Sequence, residues 1–399
     1  MDMSIHTSWV RSASAAVDHP SGAWETRHSP LRAFAFCNAI CSEFAAETLQ
    51  VANIREGAGG NRPGMLKFGA LFPTRGPDPS MRAFRLRETG LAPDLTEEPL
   101  PEPGPGEIRL RIAACALNFA DLLMIQGRYQ ERPPLPLTLG MEVAGIVDAL
   151  GEGVSGPATG TRVAAFGSCG GLAEFGCWPA GRCLPLPDSV SFRDAAAFQI
   201  AYGTGHLALD HRARLQPGER LLVTGAAGGV GLAAVEIGRR MGAHVIATAR
   251  GEERLAVARA AGAHEAIDSE TEDLKGVLKA LGGIDVTYDT VGGAGFDAAL
   301  RASRPEGRLL AIGFAGGDVP QVPANLLLVK NLSVIGLYWG GYMTFAPQVL
   351  IRSLETLLGW LADGSLRPHV SHELPLERAA EGLELLRTRQ ATGKVVITP

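Results

Sequence analysis

Thr224-Gly225-Ala226-Ala227-Gly228-Gly229-Val230-Gly231 follows the apolar run Arg220-Leu221-Leu222-Val223-Thr224 and leads into helical periodicity as far as Met241. Strand, glycine-rich turn and helix, in that order, form the context in which such a turn binds a dinucleotide. Small residues keep the turn tight, and Gly228 and Gly229 let the backbone approach a pyrophosphate. Gly231 lets helix pack closely on strand, so the helix N-terminus with its unpaired N–H groups faces the anion. Ala226 stands at the first glycine position of the usual G-x-G-x-x-G spacing, so placement carries the reading more than spacing does. Ala226, Gly228, Gly229, Val230 and Gly231 are the expected pyrophosphate contacts.

Downstream, strands and helices alternate. His244-Val245-Ile246-Ala247-Thr248 precedes a helix from Arg254 to Ala261, and apolar strands follow at Ile284–Tyr288, Arg308–Ile312 and Leu332–Gly336. This pattern predicts a doubly wound parallel sheet. The tip of its second strand selects the dinucleotide, because an acid there bonds a ribose 2′-hydroxyl whereas a cation accommodates a 2′-phosphate. The tip reads Thr248-Ala249-Arg250-Gly251-Glu252-Glu253-Arg254, so Arg250 and Arg254 point to NADPH. Upstream, Glu107–Ile112 alternates at period two, and short strand-like runs at Ala144–Val147 and Arg162–Phe166 are separated by glycine turns, as in a small antiparallel barrel. The expected organisation is an extension over 1–80, a β-barrel domain over 81–198, a dinucleotide domain over 199–340, and a return to the barrel over 341–399. Residues 1–80 lack sustained periodicity and hold seven Lys/Arg and seven Asp/Glu, unlike an acid-poor transit peptide. They read as disordered or as lying upstream of a true start at Met81.

At 399 residues, 46% hydrophobic and 20% charged, the chain is long enough for two cores. A net charge of -5 argues against nucleic acid as a partner. No run of about 18 apolar residues predicts a membrane span. Six cysteines without a CxxC pair or a secretory context read as free thiols in a cytoplasmic protein.

Several further segments carry a family resemblance: Leu117-Asn118-Phe119-Ala120-Asp121-Leu122-Leu123 with Gly127-Arg128-Tyr129, Gly140-Met141-Glu142-Val143-Ala144-Gly145, and Tyr288-Asp289-Thr290-Val291-Gly292-Gly293. Gly313-Phe314, Gly336-Leu337-Tyr338-Trp339 and Gly393-Lys394-Val395-Val396 complete the set. With the glycine turn, they make Met81–Pro399 resemble the zinc-free quinone oxidoreductases of the medium-chain dehydrogenase/reductase superfamily, the group that includes zeta-crystallin. The resemblance implies a GroES-like barrel, a Rossmann domain, and an active site in the cleft between them. Carried over by position, it puts Asn118 and Asp121 on the barrel side of the nicotinamide and Tyr129 on the substrate side. Val291, Gly313, Phe314 and Tyr338 surround the nicotinamide, Lys394 joins the cofactor contacts, and a homodimer is implied.

Zinc-dependent relatives carry a histidine where this chain has Met141, a poor zinc ligand, and a four-cysteine lobe that Cys169, Cys177 and Cys183 do not reproduce. No metal is therefore expected. The tyrosine often found after the third Rossmann strand is absent from Ile267-Asp268-Ser269, which leaves NADH use open. Without a Lewis acid, the expected reaction is hydride transfer to an electron-poor quinone or α,β-unsaturated carbonyl, with the Asn118 amide and Tyr129 hydroxyl as donors to the oxyanion. Two alternatives remain open: an enoyl-CoA reductase, and a crystallin-like protein that binds NADPH without turnover.

Overall fold

Residues 80–270 and 273–399 are described by the computed structural model. The expectations for residues 1–80 lie outside them, Ser80 excepted. Period-two alternation in Glu107–Ala116 becomes a strand whose leucine and isoleucine positions are buried while Arg109 and Arg111 face outward. It is the hub of a seven-stranded sheet, paired antiparallel to Glu142–Leu150, Phe175–Pro179 and Lys394–Thr398. A three-stranded sheet around Ser80–Leu86 completes the barrel domain. One core holds Phe84, Ile108, Leu110 and Val143 together with Val395 and Ile397, so the C-terminal strand belongs to the barrel.

The second domain is a six-stranded, all-parallel sheet. In space the strands run Glu265–Asp268, His244–Ala249, Arg220–Thr224, Ile284–Asp289, Ser303–Ala311, Ser333–Gly336. Numbered along the chain, this is the order 3-2-1-4-5-6 of a doubly wound dinucleotide domain, whose ligands bind at the reversal beside strand 1. Leu221, Leu222 and Val223 are fully buried, as expected for a strand covered on both faces.

The return after residue 340 has two parts. The helix Pro347–Ala362 packs Leu350, Leu354 and Leu357 into a core that holds Leu221 and Val223 of the parallel sheet together with Ala114, Ala144 and Phe166 of the barrel. The segment from Val370 onward extends the barrel sheet through strands Val370–Pro375 and Lys394–Thr398. The helix's apolar stripe needs a broad helical surface. Helix Phe192–His206, to which it packs, supplies one. That helix also runs through the expected boundary at residue 199. Among the described residues, no helix is long and apolar enough to cross a membrane.

Candidate active site

Helix Gly229–Arg240 begins at the glycine turn, at the C-terminal end of strand 1, so its first N–H groups open toward the strand ends. Gly231 is required by close approach: a Cβ there would lie 2.3 Å from the Gly225 carbonyl oxygen. The C-terminal return docks on this turn, with the Gly393 N–H donating to the Ala227 carbonyl at 2.8 Å. A brace missed in the sequence holds the neighbouring strand tips. Thr224 donates to Asp289 at 2.6 Å, and Asp289 accepts from the Gly292 N–H at 2.8 Å. Burial raises the Asp289 pKa, and these hydrogen bonds oppose the rise.

Val291, Gly313 and Phe314 gather at the ends of strands 4 and 5. The Gly313 N–H donates to the Asp289 carbonyl, and the Val291 carbonyl accepts from Gly316. A Cβ on Gly225 would meet Val291 at 3.0 Å, so the glycine turn and these residues form one surface. Phe314 and Tyr338 are 43% and 40% exposed, unusually open for aromatic side chains beside a cleft. Arg250 pairs with Glu270 at 3.4 Å and Arg254 donates to the Arg389 carbonyl, both at the surface. Arg389, a third guanidinium that no sequence motif marks, donates to the Ala315 carbonyl at 2.5 Å. These residues fit a dinucleotide: a helix N-terminus over a turn that excludes side chains, with cations at the adenosine end.

The barrel wall is a closed polar network. Lys394, 3% exposed, donates to the Leu117 carbonyl at 2.9 Å and to Asn118 Oδ1 and Glu142 Oε1 at 2.8 Å each. Asn118 donates from Nδ2 to the Ala116 carbonyl at 3.3 Å and to Glu142 at 2.9 Å. The other oxygen of fully buried Glu142 accepts from the Ile200 N–H at 2.8 Å. Asp121 accepts from the backbone N–H groups of Asn118 at 2.8 Å and Gly140 at 3.1 Å, while burial pushes its pKa up to about 6.

This geometry bears on two expected roles. Both amide hydrogens of Asn118 are engaged inside the protein. All three Lys394 donors are likewise taken, and only its aliphatic stem lies beside the turn, 3.1 Å from a Cβ built on Gly229. Glu142 was visible in the sequence but had no assigned role; its partner is 252 residues away.

Tyr129 sits half-buried at the barrel edge, and burial, with Glu131 and Asp121 nearby, pushes its pKa up to about 12. Tyr338 donates to Glu131 at 2.5 Å, and Ser168 donates to the other Glu131 oxygen. Met141 is 5% exposed, and among the described residues no group of three or more His, Cys, Asp or Glu is placed to hold a metal ion.

A barrel wall facing the strand ends of a 3-2-1-4-5-6 sheet defines a medium-chain dehydrogenase/reductase. Two family models match: an alcohol dehydrogenase GroES-like domain at residues 104–188 and a zinc-binding dehydrogenase at 229–355. Quinone oxidoreductase-like protein 2 of Bos taurus is 41% identical over 311 residues, 77% of this chain and 89% of that protein. The quinone oxidoreductase of Thermus thermophilus, whose structures include an NADPH complex, is 37% identical with a TM-score of 0.72, covering 80% of this chain and 100% of that one. The Escherichia coli quinone oxidoreductase complexed with NADPH matches at 28% identity and a TM-score of 0.73, over 80% and 100% of the two chains. The chain belongs to the quinone oxidoreductase branch of the medium-chain dehydrogenase/reductase superfamily.

Proposed function

We propose that this protein reduces a quinone or α,β-unsaturated carbonyl with NADPH and without zinc. The observation that carries the reading is the open strand-end surface, where the glycine turn and helix N-terminus lie beside strand 1 and Arg250 and Arg254 replace an acid at strand 2. Bound there, NADPH supplies a hydride to the acceptor, and a proton from water completes a hydroquinone or a saturated carbonyl. In this reading Ala226, Gly228, Gly229, Val230 and Gly231 hold the pyrophosphate, and Val291, Gly313, Phe314 and Tyr338 wall the nicotinamide. Asn118, Asp121 and Lys394 keep the opposite wall rigid, and Tyr129 meets the substrate. Met141 in place of a ligand supports zinc independence.

The test is NADPH oxidation by metal-analysed protein against simple quinones, enones and an enoyl thioester. Turnover of quinones or enones with far less than one zinc per chain is expected. Higher kcat/KM for the thioester would make it an enoyl reductase, and binding without turnover a mere NADPH binder. The reading includes a homodimer, supported by the edge strand Ser333–Gly336 and the exposed Leu328 and Val329 nearby (77% and 70%). Light scattering at the mass of one chain would overturn that. Free Cys115, Cys169, Cys177 and Cys183 support a reducing, cytoplasmic setting, checked by fractionation.

A further inference from the structure

A groove runs between helices Gly229–Arg240 and Glu252–Ala260, with residues 367–370 along its edge. Its main chamber, about 410 Å³, is walled by Leu232, Val257, Ala260 and Val370, and falls within the ~300–1,000 Å³ span of small-molecule sites. A second chamber of about 240 Å³ shares Arg193, Arg367 and Pro368 with the first, so two guanidiniums stand where the chambers join. Arg193 spends its Nε on neighbouring Asp194 at 2.9 Å, and Arg367 spends its Nε on the Gly364 carbonyl at 3.3 Å. The terminal nitrogens of both, the part of the fork that grips a carboxylate, find no hydrogen-bond acceptor among the described residues. Glu236 also lines the main chamber; it accepts from the Tyr202 hydroxyl at 3.0 Å, and burial pushes its pKa up to about 7. None of these residues belongs to the glycine turn, the strand tips or the barrel wall.

We propose that this groove is a second binding site, for a monocarboxylate with an apolar body: Arg193 and Arg367 hold the carboxylate, and the chamber walled by Leu232, Val257 and Ala260 takes the body beside Glu236. Charge selects the class. Arg193 and Arg367 bring two positive charges and Asp194 one negative, so the junction carries one net positive charge while Glu236 is protonated. A monoanion balances that charge, a phosphate dianion overshoots it, and an ammonium group meets two guanidiniums. A small inorganic anion gains nothing from the apolar walls. The groups around Glu236 are Tyr202, Arg193 and Asp194 of helix Phe192–His206, and Arg367 and His369 of the edge segment; helix Glu252–Ala260 adds only the apolar Val257 and Ala260. A bound carboxylate raises the Glu236 pKa further, so binding takes up a proton and tightens as pH falls through about 7. Burial holds His369 below its ordinary value, so it stays neutral there.

The probe is octanoate, titrated calorimetrically into the full chain with saturating NADPH, against octyl phosphate, octanol and acetate. Octanoate should bind most tightly of the four. Arg193→Ala and Arg367→Ala should each weaken it about three- to tenfold, less than a buried charged bond would give, because both guanidiniums are exposed. Ala260 is exposed on its helix, so Ala260→Trp fills the chamber without disturbing the core. It should weaken octanoate at least as much and leave the affinity for NADPH unchanged. Octanoate affinity should rise from about pH 8 to about pH 7 with uptake of a proton, and Glu236→Gln should abolish that rise while keeping an acceptor for Tyr202. No binding at millimolar octanoate, a comparator that binds more tightly, or an affinity unchanged in the two arginine variants and Ala260→Trp would overturn the proposal. So would a pH dependence that Glu236→Gln leaves intact.

Discussion

The two walls of the cleft are built on opposite principles. On the barrel side, Asn118, Asp121, Glu142 and Lys394 are at most 8% exposed, and the donors of Asn118 and Lys394 are all engaged within the protein. On the dinucleotide side, Arg250 and Arg254 lie at the surface in weak, replaceable contacts. A buried charge is tolerated only when fully paired, whereas an exposed one keeps its hydration and can exchange partners. Substitution on the first wall should therefore be felt as stability, and on the second as ligand affinity.

The sharpest break of that contrast is Lys394→Met. It leaves Glu142 buried without its cation, which costs about 3–5 kcal/mol. The urea midpoint followed by tryptophan fluorescence should fall accordingly, and Glu142→Gln/Lys394→Met should recover most of it. A midpoint unchanged in Lys394→Met would mean that the barrel wall is no stiffer than the rim.

Next in size come Arg250→Ala and Arg254→Ala. A guanidinium paired with a phosphate is worth roughly 1.5–3 kcal/mol, or about ten- to a hundredfold. Each should raise the Michaelis constant for NADPH, leave that for NADH nearly unchanged, and leave the urea midpoint in place. If the single and double variants keep the wild-type cofactor preference, the adenosine end is read by other residues, with Arg389 the nearest guanidinium to try.

The smallest effect concerns Asp121. Its folded pKa of about 6 lies above the ordinary 3.8, so between those values the folded state holds the proton more tightly than the unfolded state. Stability contributed by this group therefore grows as pH falls through 6 toward 3.8 and is absent above 6. Asp121→Asn should remove that slope. It should also cost about 1–3 kcal/mol, because an amide has one acceptor oxygen for two backbone donors. Glu236, pushed up to about 7 by burial beside Tyr202, should keep its own slope in the variant. A midpoint-against-pH curve that Asp121→Asn leaves unaltered would show the carboxyl to be solvated in solution.

Short-range chemistry is legible in the chain itself. Strand and helix periods, a glycine turn at the end of an apolar strand, and the missing acid at Arg250 can all be read within about twenty residues. The doubly wound sheet and the barrel follow from them. Helix Pro347–Ala362 shows the limit. Its apolar stripe says that it is buried but not against what, and the fold packs it on helix Phe192–His206 in a core shared by both domains.

By itself, then, the sequence determined the architecture, the glycine turn at the end of strand 1, and the kind of charge at the tip of strand 2, since each depends on residues adjacent in the chain. Only the tertiary structure decided which side chains of the site keep a free hydrogen. Lys394 reaches Glu142 across 252 residues, and Tyr338 reaches Glu131 across 207. A hydrogen bond is directional and saturable, so whether Asn118 keeps a free donor depends on which acceptors its amide already meets. That is fixed by where distant strands bring the partner.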